Sequence, residues 1–374
     1  MPASSDRGSR PSCGPETCIA AYSTGALTLP NPGSTLLVRL PNPLGDVVMA
    51  TPLLRALRRQ LPQARILACG DASFGPLLDG LDSYDAFLPL DAAARRGRGA
   101  WRRQAALLRT ARADVALLLP NSWSTAAAAW RARIPLRVGR RAQGRGLLLH
   151  HRLPPIPGPA PMTELYADFL TPLGLQREVP HAELVAGVPR TRLPDAPLLG
   201  VAPGAAFGPS KQLPDATLIT ALDLLHAEHG LVPVLLGAPR EQRWLAELAA
   251  RMQAPVVLVD PGSGGLDEAK ALLARCDALL AMDNGARHMA AALGVPQLAV
   301  YGPTHPAWSA HALEHTRLLR REELDCLACH HKRCPLPDHP CMRRITPRDL
   351  VDGLLAATRP AAGATPPQKK SGDR

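Results

Sequence analysis

The sequence predicts an α/β protein built from two doubly wound, parallel-sheet domains that face a central cleft. Short Val- and Leu-rich runs alternate with helix-length segments along most of the chain, and this alternation restarts once after a proline-rich stretch. The length of 374 residues also leaves room for two domains of ordinary size. Strand and helix in alternation imply parallel strands covered by helices on both faces.

The first strand is predicted over 36–40, followed by the turn Pro41-Asn42-Pro43-Leu44-Gly45-Asp46 and a helix over 47–61. A strand over 65–69, a helix near Phe74, a strand over 86–90, a helix over 98–112, a strand over 115–119 and a helix over 122–133 continue the series. Prolines gather over 151–161, a helix is expected over 163–173, and the loose stretch running to Pro197 reads as an inter-domain boundary. The pattern then resumes, with strands over 198–202, 232–236, 256–260, 278–282 and 297–301, and helices over 216–229, 241–252, 266–276 and 286–293. The expected organisation is a disordered extension over 1–34, an N-terminal domain over 35–190, a C-terminal domain over 198–355 and a disordered tail over 356–374.

Composition narrows the class. Hydrophobic residues make up 46% and charged residues 20%, and no apolar run approaches the roughly 18–20 residues of a spanning helix, so a soluble globular chain is expected. Of the eight cysteines, at 13, 18, 69, 276, 326, 329, 334 and 341, half fall in one short C-terminal stretch, which is not the layout of a secreted disulfide framework. Arg7 and Arg10 precede only a weak apolar patch that Tyr22, Ser23 and Thr24 interrupt, so no signal peptide is expected and a cytoplasmic location follows. The formal charge is +11, and between Asp91 and Arg152 fourteen arginines meet only Asp91 and Asp114. Such a field suits an anionic partner, although solvated helix faces in an arginine-biased chain would read the same way.

Ligands of doubly wound sheets bind beyond the carboxyl ends of the strands, so the loops at Gly45-Asp46, 203–214 and 283–285 should face the cleft. Asp46, in the first turn of a helix, is either a helix cap or a general base aimed at an incoming hydroxyl. The loop Pro203–Pro214 carries Ser210 and Lys211; backbone N–H groups and one ammonium can cradle phosphate, though the glycine–lysine spacing is not that of a Walker loop. Asp283-Asn284-Gly285-Ala286-Arg287-His288 ends a strand and opens a helix whose free N–H groups favour anions, with Asp283 as a possible cap and His288 as a possible core histidine. Glu241 follows another strand, where it could hold a ribose diol or cap its helix. Cys326, Cys329, Cys334 and Cys341, with His330, His331 and His339 among them, could ligate one structural zinc, form disulfides or remain thiols, and they should lie outside the cleft loops.

Taken together, LLVRLPNPLGDVVMATPLLRAL, LLLPNSWSTAAAAWRARIPLRVGRR, VAPGAAFGPSKQLP and MDNGARHMAAALGVPQLAVYGPTHP resemble glycosyltransferase family 9, the heptosyltransferases of lipopolysaccharide core assembly. The cysteine run CLACHHKRCPLPDHPCMRRITP is similar to a pattern found in many members, and the resemblance extends from about residue 36 to 355. It implies a GT-B fold, an acceptor-binding N-terminal domain, a nucleotide-sugar-binding C-terminal domain and inverting transfer without a required cofactor or metal. ADP-heptose would be the donor and heptosyl-Kdo-lipid A the acceptor, met at the inner-membrane surface, with no nucleic-acid partner. By the same resemblance Asp46 is the base, and Lys211 beside Ser210 holds the diphosphate and stabilises the leaving group. Glu241 binds ribose, while Asp283, Asn284, Gly285, Ala286 and His288 surround phosphate and sugar. Asn284 stands where many members have Thr, Gln212-Leu213 where Trp often follows the lysine, and Arg287 adds a cation. The alternatives are a member with another donor or core position, or a non-catalytic nucleotide- or anion-binding protein; Asp46 together with Lys211 and Asp283 argues against the latter.

Overall fold

A computed structural model describes residues 33–359, apart from 96, 98 and 260–263. Almost all of the predicted extension over 1–34, with Cys13 and Cys18, lies outside the described residues, as does the tail beyond 359.

Two six-stranded sheets, parallel throughout, form the frame. The first contains β1 (Thr35–Arg39), β2 (Arg65–Asp71), β3 (Ala86–Leu90), β4 (Val115–Leu118), β5 (Leu136–Arg140) and β6 (His151–Leu153), in the order β3-β2-β1-β4-β5-β6. The second contains β7 (Leu198–Ala202), β8 (Val232–Leu235), β9 (Val257–Leu258), β10 (Ala278–Met282), β11 (Gln297–Val300) and β12 (Thr316–Leu319), in the order β12-β11-β10-β7-β8-β9. Both have the doubly wound order in which the chain reverses direction beside its first strand, so a crevice opens outside β1/β4 and another outside β7/β10.

The first sheet is covered by α1 (Leu44–Met49), α2 (Thr51–Gln60), α3 (Phe74–Leu78), α4 (Ala92–Arg95), α5 (Ala100–Thr110), α6 (Trp123–Arg131) and α7 (Met162–Ala167). The second carries α8 (Asp215–His229), α9 (Gln242–Ala249), α10 (Leu266–Arg275), α11 (Gly285–Ala292), α12 (Pro340–Arg343) and α13 (Pro347–Thr358). Strand alternation divides the core. Leu36 and Val38 face a cluster shared with the second sheet through Leu279 and Ala281, whereas Leu37 faces a separate cluster under α5 and α6. Leu199, Val201 and Leu280 face a third cluster with α8 and α13. The inner helices α1 and α3 therefore meet α11 and α10 directly.

Several elements differ from the sequence reading. The helix predicted over 47–61 is two helices, because Pro52 cannot continue the ladder and the Thr51 hydroxyl donates to the Val48 carbonyl at 2.8 Å. β5, β6, β12 and α13 were not foreseen. α13 runs to Thr358, beyond the start of the expected tail, and opens on a capping box in which Thr346 and Asp349 bond reciprocally.

Candidate active site

The site lies where α1 meets α11. A Cβ at Gly45 would come within 2.4 Å of His288 Cδ2, and one at Gly285 within 2.5 Å of Leu44 Cδ2. Each helix start is glycine because a side chain of the other occupies the space. This contact carries Asp46, in the first turn of α1, across from the end of β10.

Asp46 does not cap its helix; the N-cap is Pro43, and no group among the described residues hydrogen-bonds the carboxylate. Burial, with the nearby Asp283 charge, pushes the Asp46 carboxyl up to about 6. Asp283 differs. Burial pushes its carboxyl up, but the Lys211 ammonium, hydrogen bonds from Lys211 and Thr304, and the Arg287 charge outweigh burial and hold it below the ordinary value. Lys211 Nζ donates to the Asp283 carbonyl at 2.8 Å and to its carboxylate, lies 5.0 Å from the Phe207 ring centroid, and Thr304 Oγ1 donates to the same carboxylate at 2.6 Å.

The loop after β7 is shaped to deliver Lys211. Gly208 has φ of 153°, and a Cβ there would meet the Lys332 carbonyl at 2.5 Å. A 3-10 turn over Pro209–Lys211 follows. Ser210 is buried against the cysteine segment. Its N–H donates to the Lys332 carbonyl (3.2 Å), its hydroxyl to the His331 carbonyl (2.6 Å), and its carbonyl bonds His339 Nε2 (2.9 Å). The cysteine segment therefore backs the loop that carries Lys211, a correction to its expected place away from the cleft loops. Cys326, Cys329, Cys334 and Cys341 line a cavity of about 180 Å³ there, and all four are free thiols. As arranged, no three His, Cys, Asp or Glu side chains among the described residues are grouped to hold a metal ion.

Asn284, rather than Asp283, caps α11. Its Oδ1 accepts from Ala286 N (3.0 Å) and Arg287 N (3.4 Å), and its Nδ2 donates to the carbonyls of Ala202 (2.9 Å) and Gly204 (2.8 Å). The Asn284 amide therefore staples the β7 loop to the helix, and two of the N–H groups expected to face the cleft are occupied by it. Glu241 accepts from Ala238 N at 2.8 Å, and its carboxylate fills the space a Cβ at Gly204 would need, placing it against the same loop.

His288 stacks on His311 with centroids 5.0 Å apart, and Nδ1 lies 2.7 Å from His311 Nε2. Burial, then the Arg287, His311 and Lys211 charges, hold the His288 imidazole well below its ordinary range, and burial with Arg287 lowers His311 to about 3. Both are neutral at pH 7. Arg287 is fully buried; Nη1 contacts His288, while Nε and Nη2 have no partner among the described residues. The structure thus brings Asp46, Lys211, Asp283 and His288 together, with Glu241 and Ser210 on the surrounding loop. Thr304 and His311 were missed by sequence reasoning. Both follow β11: Thr304 lies in the GPTHP end of a motif that carries the family resemblance, and His311 lies just beyond it.

A family model for glycosyltransferase family 9 (heptosyltransferase) matches residues 101–339. Lipopolysaccharide heptosyltransferase 2 of Salmonella typhimurium is 31% identical over 310 residues, covering 76% of this chain and 87% of that protein. Its namesake in Escherichia coli is 30% identical over the same shares. The solved structure of E. coli ADP-heptose lps heptosyltransferase II superposes with a TM-score of 0.72 at 27% identity, covering 87% of this chain and 98% of that one. With two facing doubly wound sheets and these relatives, the chain belongs to glycosyltransferase family 9, the heptosyltransferases, and is a glycosyltransferase of the GT-B fold.

Proposed function

We propose that the protein transfers L-glycero-D-manno-heptose from ADP-heptose to heptosyl-Kdo-lipid A, with inversion and without a metal. The observation that carries this reading is the unpartnered Asp46 carboxyl, raised to about 6 and facing the Lys211–Asp283 pair across the cleft. The names of the similar enzymes support the donor and the pathway.

The first domain, over 35–190, presents the acceptor and the second, over 198–355, holds the donor. Asp46 takes the proton from the acceptor hydroxyl as its oxygen bonds the anomeric carbon, and the bond to the ADP oxygen breaks on the opposite face. Lys211 and the N–H of Gly285 stabilise the negative charge that develops on the diphosphate. Glu241 binds the ribose, while Asp283, His288 and the α11 start orient phosphate and sugar. Ser210, Asn284 and Ala286 act through the backbone they fix. The acceptor is anchored in lipid, so the enzyme works peripherally at the cytoplasmic face of the inner membrane.

The test is ADP release from ADP-heptose with and without heptosyl-Kdo-lipid A, in EDTA, for the wild type and Asp46→Ala. Acceptor-dependent release that survives EDTA and falls by about 10²–10⁴-fold in the variant is expected. Folded protein that binds ADP yet releases none with acceptor would overturn the reading.

A further inference from the structure

We propose that the outer helical layer of the first sheet, α5 and α6, docks on an anionic phospholipid surface. This deepens the reading above by naming where a lipid-borne acceptor is met, and rests on that reading only for its purpose.

The sequence left the arginine-rich stretch open between an anionic partner and solvated faces. The structure sorts these arginines. Arg140 and Arg145 are buried, Arg140 bonding Asp168 and the Leu165 carbonyl and Arg145 the Arg140, Pro120 and Ser122 carbonyls. Arg95 pairs with Asp71. These serve the fold. Arg102 and Arg109, two turns apart on one stripe of α5, and Arg131 at the end of α6 are exposed. The two acids of the stretch are engaged by backbone, Asp91 with Ala94 N and Asp114 with Thr35 N.

Charge is not the only signal. Trp123 and Trp130, seven residues apart and therefore on one face of α6, are 46% and 53% exposed. Trp101 packs edge-on against Trp123 with centroids 6.1 Å apart, and the Arg102 guanidinium lies 5.4 Å from the Trp101 ring. Leu147, 89% exposed, stands in the turn after β5 beside α6, where Gln143 accepts from Trp123 N at 3.2 Å. Indoles with arginines around them suit the headgroup boundary, where the ring is partly desolvated and the guanidinium meets phosphate. A single strand of nucleic acid also stacks on aromatics, but it needs a groove tracking its backbone, and this surface is the outside of two helices. α5 and α6 both follow the carboxyl ends of their strands, the edge that carries Asp46 after β1. The starts of α5 and α6, with Trp101, Arg102 and Trp123, therefore lie at the edge of the sheet that bears Asp46, while Arg109, Trp130 and Arg131 extend the face away from it.

The experiment is co-sedimentation of the full chain with phosphatidylcholine vesicles, with and without phosphatidylglycerol, at low salt and in the absence of donor. Variants are Trp123→Ser/Trp130→Ser and Arg102→Glu/Arg109→Glu/Arg131→Glu, each checked for its fold by circular dichroism. Binding of the wild type only to the anionic vesicles, reduced by about tenfold or more in both variants, is expected. No wild-type binding to anionic vesicles, equal binding to neutral ones, or undiminished binding of either folded variant would overturn the proposal. So would binding to a random oligonucleotide that displaces the vesicles and is lost in the same variants. ADP release in the separate assay reads glycosyl transfer alone, so failure of one reading is not failure of the other.

Discussion

Asp46 and Asp283 are two carboxylates whose surroundings push them apart. Asp46, with burial against it and no hydrogen-bond donor among the described residues, binds its proton up to about pH 6; Asp283, with Lys211 and Thr304 on it, is ionised. Turnover is expected to rise with pH through about 6 in a pH–kcat/KM profile and to lose that limb in Asp46→Asn. The stability effect has the opposite sign. Asp46 has an ordinary value of 3.8 in the open chain and a higher one when folded, so the native state holds the extra proton and stability falls as pH rises from about 4 to 6. Asp46→Asn is therefore expected to gain about 1–2 kcal/mol at pH 8 by chemical denaturation while losing activity. Lys211 is already held by an anion of its own chain, so if it takes the ADP diphosphate as proposed, ADP competes with the Asp283 carboxylate for the ammonium. Asp283→Asn is expected to tighten ADP about tenfold or more by calorimetry and slow its release. Asp46, Lys211 and Asp283 stood out as cleft-loop residues from their places after strand ends, while the roles expected of them came only from the family resemblance. Thr304 and His311 were given no role: Thr304 lies in the quoted GPTHP run, but nothing along the chain says that its hydroxyl returns to Asp283, 21 residues earlier.

Among the elements, α11 shows how a cap can also serve as a brace. Asn284 closes two helix N–H groups with one end of its amide and two carbonyls of the β7 loop with the other. Asn284→Ala is expected to cost about 2–3 kcal/mol, more than an ordinary cap, and to weaken ADP, because the buried Ala202 and Gly204 carbonyls lose their donor. Sequence periodicity revealed the apolar strands, both those buried on both faces and the less buried β3 and β9. It missed β5 and β6, where Arg137, Arg140 and Arg152 interrupt the apolar run, and β12, an edge strand with Arg317 in its centre. Arg140 reads as a surface residue, yet Asp168 and three-dimensional packing bury it. Pro52 was the one local signal that could have divided the first helix correctly.

In the whole molecule, two sheets of the same winding share one inner core instead of each closing its own. The alternation of strand and helix made both sheets visible in the sequence, but not their contact, which depends on side chains far apart in the chain. Lys270 on α10 is buried and donates to the Pro76, Leu77 and Asp79 carbonyls at the end of α3, at 3.0–3.2 Å. Glu268, two residues earlier on the same helix, accepts from the Arg190 and Thr191 N–H groups of the connecting segment. Lys270→Met is expected to cost about 2–3 kcal/mol, read as a lower midpoint in urea. Unfolding should remain one transition, with fluorescence and circular dichroism coincident, because neither sheet has a complete inner layer alone. The shared core also sets how the gene can be divided. A chain cut near residue 190 would yield halves that each expose an apolar face and aggregate when made singly, and that regain a native fold only by complementing one another in the same cell.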